Sequence, residues 1–144
     1  MLELNESAPR QPTRAELREQ RKADLKKAEQ EQYERDLEAI DDLELLHGDS
    51  NIGVRRVAYT PGLPVLLAVR TPKPAEVKRY RSRIKPQDLE SATAAAIELQ
   101  SVCRVYPDDA TFAKVLAARP GVDAQLGAKA VELATAASES EGKG

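Results

Sequence analysis

At 144 residues the chain has the length of one domain with at most an appendage, which excludes two full domains. Charged residues make up 32% of it and aromatics 3%, so its core must be built from Leu, Val, Ile and Ala and stay thin. A net charge of −2 conceals strong segregation: residues 1–50 carry 14 acids and 8 bases, residues 51–86 carry 1 and 9, and residues 87–144 carry 9 and 5.

The first twelve residues contain Pro9 and Pro12 without an apolar period and predict an unordered start. From Thr13 to Leu46 there is no Gly or Pro, and helix formers dominate. Thr13 and Glu16 stand at the spacing of an N-terminal capping pair, and Gly48 closes the segment. The expected element is one long charged helix over 13–47, roughly 50 Å at 1.5 Å per residue. Its first half carries only Ala15, Leu17, Ala23, Leu25 and Ala28 and should be solvated. From Tyr33 a stripe of Leu37, Ile40, Leu43 and Leu46 should dock.

After a polar turn at 47–51 the pattern becomes extended. Residues 52–59 and 64–70 read as two strands of a hairpin turned at Pro61-Gly62. Thr71-Pro72 resembles a cap and first-turn proline for a short helix bearing Val77, Tyr80 and Ile84. A second helix follows Pro86, runs to about Arg104 and carries Leu89, Ala92, Ala96, Leu99 and Cys103 on one face. A third starts near Asp109 with Phe112, Val115 and Leu116, and a fourth presents Val122, Leu126, Ala130, Leu133 and Ala137. Residues 138–144 are expected to be an unordered polar tail. The fold class is mainly α with one β-hairpin (α+β): a long charged helix, then a body over 51–137 of the hairpin and four short helices.

No stretch approaches the ~20 apolar residues needed to span a bilayer, the longest being Pro64 to Val69. The opening Met1-Leu2-Glu3-Leu4-Asn5-Glu6 lacks the basic and apolar regions of a secretory signal, so export by that route is not expected. A single cysteine fits a reducing cytoplasm.

Residues that carry chemistry are scarce. His47 is the sole histidine, so no Cys/His ligand set exists, and its place at a helix end suits the macrodipole. Cys103 lies on an apolar stripe, which suggests a buried side chain rather than a nucleophile. The segment from Gly121 to Lys129 fails the phosphate-loop pattern, with five residues between its glycines and Ala128 where Lys is required. Asp108-Asp109 reads as a helix cap, and Asp41, Asp42 and Glu44 as a solvated face. We therefore expect no catalytic residue, metal or cofactor, and no enzymatic activity.

The basic block is the feature suited to a partner. Arg70, Lys73, Lys78, Arg79, Arg81, Arg83 and Lys85 face one acid, Glu76. Such a block can meet nucleic-acid phosphates, an acidic protein surface or the chain's own acidic helix. Tyr80 alone interleaves with it, whereas single-strand binders need aromatic platforms, so the protein and internal readings are favoured over nucleic acid.

Val69 to Tyr80, VRTPKPAEVKRY, and Cys103 to Ala134, CRVYPDDATFAKVLAARPGVDAQLGAKAVELA, resemble the tail assembly chaperones of tailed bacteriophages. Arg70, Pro72, Glu76 and Tyr80 occupy the family's strand-to-helix pattern. Val105, Tyr106, Pro107, Phe112, Pro120, Leu126 and Leu133 occupy its later one. Together the two stretches cover about half the chain, and the charged helix before Tyr33 has no counterpart in the family pattern. The resemblance implies a protein of the bacterial host cytoplasm that binds the tape-measure protein during tail morphogenesis, with the major tail protein as a further partner. The alternatives are a structural or adaptor component retained in the virion, or a small nucleic-acid-binding regulator using residues 70–85. The expected partner-binding residues are Lys78, Arg79, Arg81, Arg83, Lys85, Phe112 and Leu116, and the N-terminal helix is a candidate for self-association.

Overall fold

The computed structural model of the protein describes residues 10–143. Helix α1 spans Arg14–His47 without a break. Thr13 caps it, its hydroxyl accepting from the Glu16 backbone N–H at 3.1 Å. Gly48, at φ 92°, ends it and returns its own N–H to the Glu44 carbonyl. A short 3-10 turn, Asp49–Asn51, leads directly into strand β1, Ile52–Arg56. Strand β2 is Leu66–Arg70, followed by helices α2, Pro74–Arg83, and α3, Leu89–Cys103. Strand β3, Arg104–Tyr106, precedes helices α4, Asp109–Ala118, and α5, Val122–Lys143.

The α+β architecture read from the sequence is the one observed, with a third strand added. The sheet is antiparallel in the order β1-β2-β3, and β2 is central. The hairpin turns at Pro61-Gly62, where the Leu63 N–H donates to the Thr60 carbonyl at 3.0 Å and Gly62 takes φ 81°. The second helix was expected to end at about Arg104, with no strand after it. Alone, residues 104–106 are too short to show an alternating pattern, and what makes them a strand is the open edge of β2 beside them.

Strand β2 explains the longest apolar run of the sequence, because it is covered on both faces. Leu66 and Ala68 pack with Ile40, Ile52 and Val65, against Tyr33, Leu37 and Leu43 of α1. Leu67 and Val69 point the other way, into a cluster with Leu99, Cys103, Phe112, Val115, Val122, Leu126 and Ala130. The molecule is thus three layers: the second half of α1, the sheet, and a helical layer led by α3 and α5.

Two glycines set the spacing of that last layer. A Cβ on Gly127 would lie 2.6 Å from the Ala96 carbonyl oxygen, so α5 crosses the α3 backbone where only Gly fits. A Cβ on Gly53 would meet the Leu133 side chain at 2.8 Å, so β1 also lies close to α5, there against a side chain that can shift rather than against backbone. The glycine that failed as part of a phosphate loop is a helix-crossing residue.

Helix α1 is tied to the sheet by a buried carboxylate. Asp36 has no exposed surface. Its Oδ2 accepts from the backbone N–H groups of Val65 at 2.8 Å and Leu66 at 3.2 Å. Its Oδ1 accepts from Gln32 at 2.9 Å and from the Tyr106 hydroxyl. One side chain therefore joins α1, the start of β2 and the end of β3. Burial and this bond to Asp36 push the Tyr106 hydroxyl well above the usual phenol range.

Several boundaries differ from those the sequence suggested. Leu46 was expected to dock but is 76% exposed, because the packed face of α1 ends with Leu43 as the chain turns away to β1. Leu89 is 82% exposed, since it stands in the first turn of α3 beyond the reach of α5. Helix α2 begins at Pro74 rather than Pro72, because Glu76 accepts from the Lys73 backbone N–H at 2.7 Å and fixes the later start. Helix α5 continues to Lys143, through most of the stretch expected to be an unordered tail, since no proline interrupts its Ala- and Glu-rich sequence. The expected unordered start falls largely on residues 1–9, which lie outside the described residues.

The first half of α1 is exposed, with only the hairpin loop at Tyr59 and Pro61 beside it, across a depression lined by Lys22, Ala23 and Lys26. Every residue from Arg14 to Lys27 is exposed, and contact begins at Ala28 and Glu29, where Glu29 approaches Arg56 at 3.6 Å. Arg56 in turn lies over the Tyr33 ring, 4.6 Å from its centroid.

Two measurements check this account. Removal of residues 1–27 is expected to leave a cooperative thermal transition within a few degrees of the full chain, and loss of cooperativity would show the arm to be part of the core. Asp36→Ala strands two backbone donors and is expected to cost about 3 kcal/mol in urea denaturation, from ~1–3 kcal/mol per unsatisfied buried group.

Candidate partner-binding site

The basic block divides into three sets. Arg70, at the end of β2, makes a bidentate pair with Glu76 at 2.8 and 2.9 Å and also donates to the Val102 carbonyl at 3.0 Å. It is a structural clamp joining β2, α2 and the end of α3. Arg79 and Arg83, one turn apart on α2, both reach Glu98 of α3, at 3.1 and 3.2 Å. Lys73, Lys78, Arg81 and Lys85 are exposed and make no ion pair with any described residue. The internal partners of the block are therefore Glu76 and Glu98, and not the acidic N-terminal helix.

Glu76 anchors this region. Its hydrogen bonds from Arg70, and then the Lys73 backbone, hold its carboxyl down to about 2. Cys103 lies beside it, with Sγ 3.9 Å from Oε1. Burial, and then the Glu76 charge, push the thiol up to about 11, so it is protonated at neutral pH and packs as a small apolar group.

Between α2 and α3 lies a cleft of about 460 Å³. Ala75, Tyr80, Ala95, Leu99 and Val102 supply its apolar lining, with Arg79, Arg83 and Glu98 along the rim. Val102 is 51% exposed. Small side chains on both helices let a third helix approach their backbones closely.

The remaining residues expected to bind a partner are placed differently. Phe112 is 5% exposed and belongs to the core, its ring covered by the Arg104 guanidinium at 4.0 Å, so it has no free face to offer. Leu116 is half-buried on α4 and does not line the cleft. Lys78 and Arg81 flank a second depression with Asn51, Thr71 and Val77, on the other side of α2. The apolar half of the cleft was not singled out in the sequence. Its signal is faint: Ala95, Leu99 and Val102 step by 4 and 3 residues, close to the stripe assigned to the core.

Among the described residues no group of three or more His, Cys, Asp or Glu side chains is placed to hold a metal ion, and no helix is long and apolar enough to cross a membrane. Asp108 caps α4, accepting from the Thr111 N–H at 2.7 Å, which lowers its carboxyl from the ordinary range. No family model matches this chain, and no curated protein or solved structure matches it significantly.

The Glu76 clamp gives a signed pH dependence. Because its carboxyl is held below its unfolded value, the stabilisation is complete above about pH 4.5 and disappears as pH falls toward about 2. Urea midpoints measured from neutral pH downward are expected to fall through that window, and Glu76→Gln should remove this part of the decline while lowering stability at neutral pH.

Proposed function

We propose that the chain is a non-enzymatic tail assembly chaperone that binds the tape-measure protein of a tailed phage, seating one of that protein's amphipathic helices in the cleft between α2 and α3. The observation that carries the reading is the cleft itself: about 460 Å³ in volume, with Ala75, Tyr80, Ala95, Leu99 and Val102 as its apolar lining and Glu76, Arg79, Arg83 and Glu98 as its charged groups. That is the chemistry of helix-in-groove recognition, in which apolar residues at i, i+3, i+4 and i+7 of the ligand enter the groove.

The two sequence stretches that resemble the chaperone family adjoin this cleft. Arg70 and Glu76 from the first clamp its base, Tyr80 lines its wall and packs on the core, and Phe112 and Leu126 from the second lie in that same core. The pairing of Arg70 with Glu76 and of Arg79 and Arg83 with Glu98 leaves Lys73, Lys78, Arg81 and Lys85 as the unpaired charges of the block, which favours a protein over the phosphates of a nucleic acid. Contact with the major tail protein belongs to the same proposal as a later step on the chain's charged exterior.

Co-expression with a tape-measure candidate from the same genome is expected to raise that protein's solubility and to co-purify it. Val102→Glu places a carboxylate on the cleft floor at an exposed position, so the fold should survive while recovery of the tape-measure protein drops by about tenfold or more. Equal recovery with wild type and variant would remove the cleft from the proposal. A tape-measure protein that stays insoluble with the wild-type chain would remove the chaperone reading.

A further inference from the structure

Helix α1 carries two opposed charges on two opposed faces. The helical repeat of 3.6 brings residues 18 apart back to one direction after five turns. Arg14, Arg18 and Lys22 therefore project from the same face as Gln32, Asp36 and Ile40, the three buried residues of the helix. Lys26 follows at the next i+4 step. In the arm, this face is exposed and basic, and the body borders it only at Lys22 and Lys26, which line a depression with Tyr59 and Pro61 of the hairpin loop. In the docked half, the opposite face holds Glu31, Glu34, Glu38, Asp41 and Asp42, all exposed and none in an ion pair with a described residue.

Both arrays are unfavourable as they stand. Like charges at i, i+4 repel, and the bases at 14, 18, 22 and 26 and the acids at 34, 38 and 42 each form such a series. Among these bases, Lys22 makes the one ion pair with a described residue, an exposed 3.6 Å contact to Glu19. The distribution also opposes the helix macrodipole, which favours acids at the N-terminal end and bases at the C-terminal end. From Arg10 to Lys27 there are seven bases and three acids, and from Ala28 to Ser50 one base and nine acids. The arm is uncovered, since every residue from Arg14 to Lys27 is exposed and Leu25 is 50% exposed. Leu45 and Leu46, at 85% and 76%, end the acidic half.

We propose that these surfaces are the two sides of one interface, in which the basic arm of one copy of this chain lies along the acidic back of α1 of a second copy. The arrays match in length, since Arg14 to Lys26 and Glu31 to Asp42 each cover about 17 Å at 1.5 Å per residue. Leu17 and Leu25 of the arm and Leu45 and Leu46 of the back supply the apolar part. Because the basic and acidic faces point in opposite directions, the contact is head-to-tail: each copy offers its back to one neighbour and its arm to another. Simple pairing of one arm with another, the form of self-association the sequence first suggested, would set basic stripe on basic stripe. The surfaces involved lie apart from the α2–α3 cleft, and the inference does not rest on the chaperone reading.

The test uses the purified full chain without any partner. Sedimentation velocity at about 0.05 M salt is expected to show species larger than a monomer, with apparent affinity weakened about tenfold or more at about 0.5 M salt, where exposed charges are screened. Two neutralised variants separate the sides: Arg14→Gln, Arg18→Gln, Lys22→Gln and Lys26→Gln in one chain, and Glu34→Gln, Glu38→Gln and Asp42→Asn in another. Each alone should be monomeric with an unchanged far-ultraviolet helical signal, and their mixture should form a one-to-one complex, since one keeps its back and the other its arm. A wild-type chain that is monomeric at both salt concentrations would overturn the proposal. So would either variant associating like wild type, or a mixture that stays monomeric. None of these results bears on recovery of the tape-measure protein, so the two readings fail separately.

Discussion

The buried carboxylate of Asp36 is the contact on which the layering depends. Helix α1 precedes the sheet in sequence and covers one face of it, yet few large apolar side chains fasten it there. The apolar contribution is chiefly Ile40, with Tyr33, Leu37 and Leu43 partly buried beside it. Asp36 adds direction to that modest burial. It accepts from the first backbone donors of β2 and from the Tyr106 hydroxyl of β3, and so fixes the helix both along and across the strands. An acceptor with its bonds made is specific in a way that leucine contacts are not, because any slide of the helix leaves donors unpaired in a dry site.

The opposite face of the sheet is organised by apolar burial instead. Leu67 and Val69 meet α3, α4 and α5, and the close crossing at Gly127 lets α3 and α5 pack almost backbone to backbone. Arg70 then closes the end of this layer by gripping Glu76 and the Val102 carbonyl. The same clamp holds α2 beside α3, and the cleft is the space left where those two helices diverge. The cleft is thus a by-product of how the core is locked, which is why Ala95 and Leu99 of α3 belong both to its lining and to the core.

Charge in this protein serves several distinct ends. Some bases are consumed inside the fold, as Arg70 and Arg104 are. Arg79 and Arg83 shape the rim of the cleft through Glu98. The bases and acids of α1 are arranged on separate faces and satisfy little within one molecule. A net charge near neutrality therefore describes neither the surface nor its partners. What matters is which charges already have an internal counterpart, and that is a property of the folded arrangement.

Much of the architecture was legible in the sequence. The uninterrupted run from Thr13 to Gly48 dictated a long helix, and its shortage of apolar residues before Tyr33 pointed to the exposure of its first half, which the structure shows for Arg14 to Lys27 while Gln32 is already buried. The run from Pro64 to Val69 dictated a buried strand, and Pro61-Gly62 its turn. These are local matters of propensity, period and turn chemistry. The sequence could not reveal β3, because three residues acquire strand geometry from the edge they meet. Nor could it mark Asp36 as buried among so many acids, since its partners lie about 30 and 70 residues away. It also misassigned Phe112, whose aromatic ring suits a binding surface and a core equally until the position of Arg104 is known. The cleft belongs to the same class: local pattern determined which residues form helices, but only the packing of α2 against α3 decided which of their faces would remain open, because exposure is set by neighbours distant in the chain.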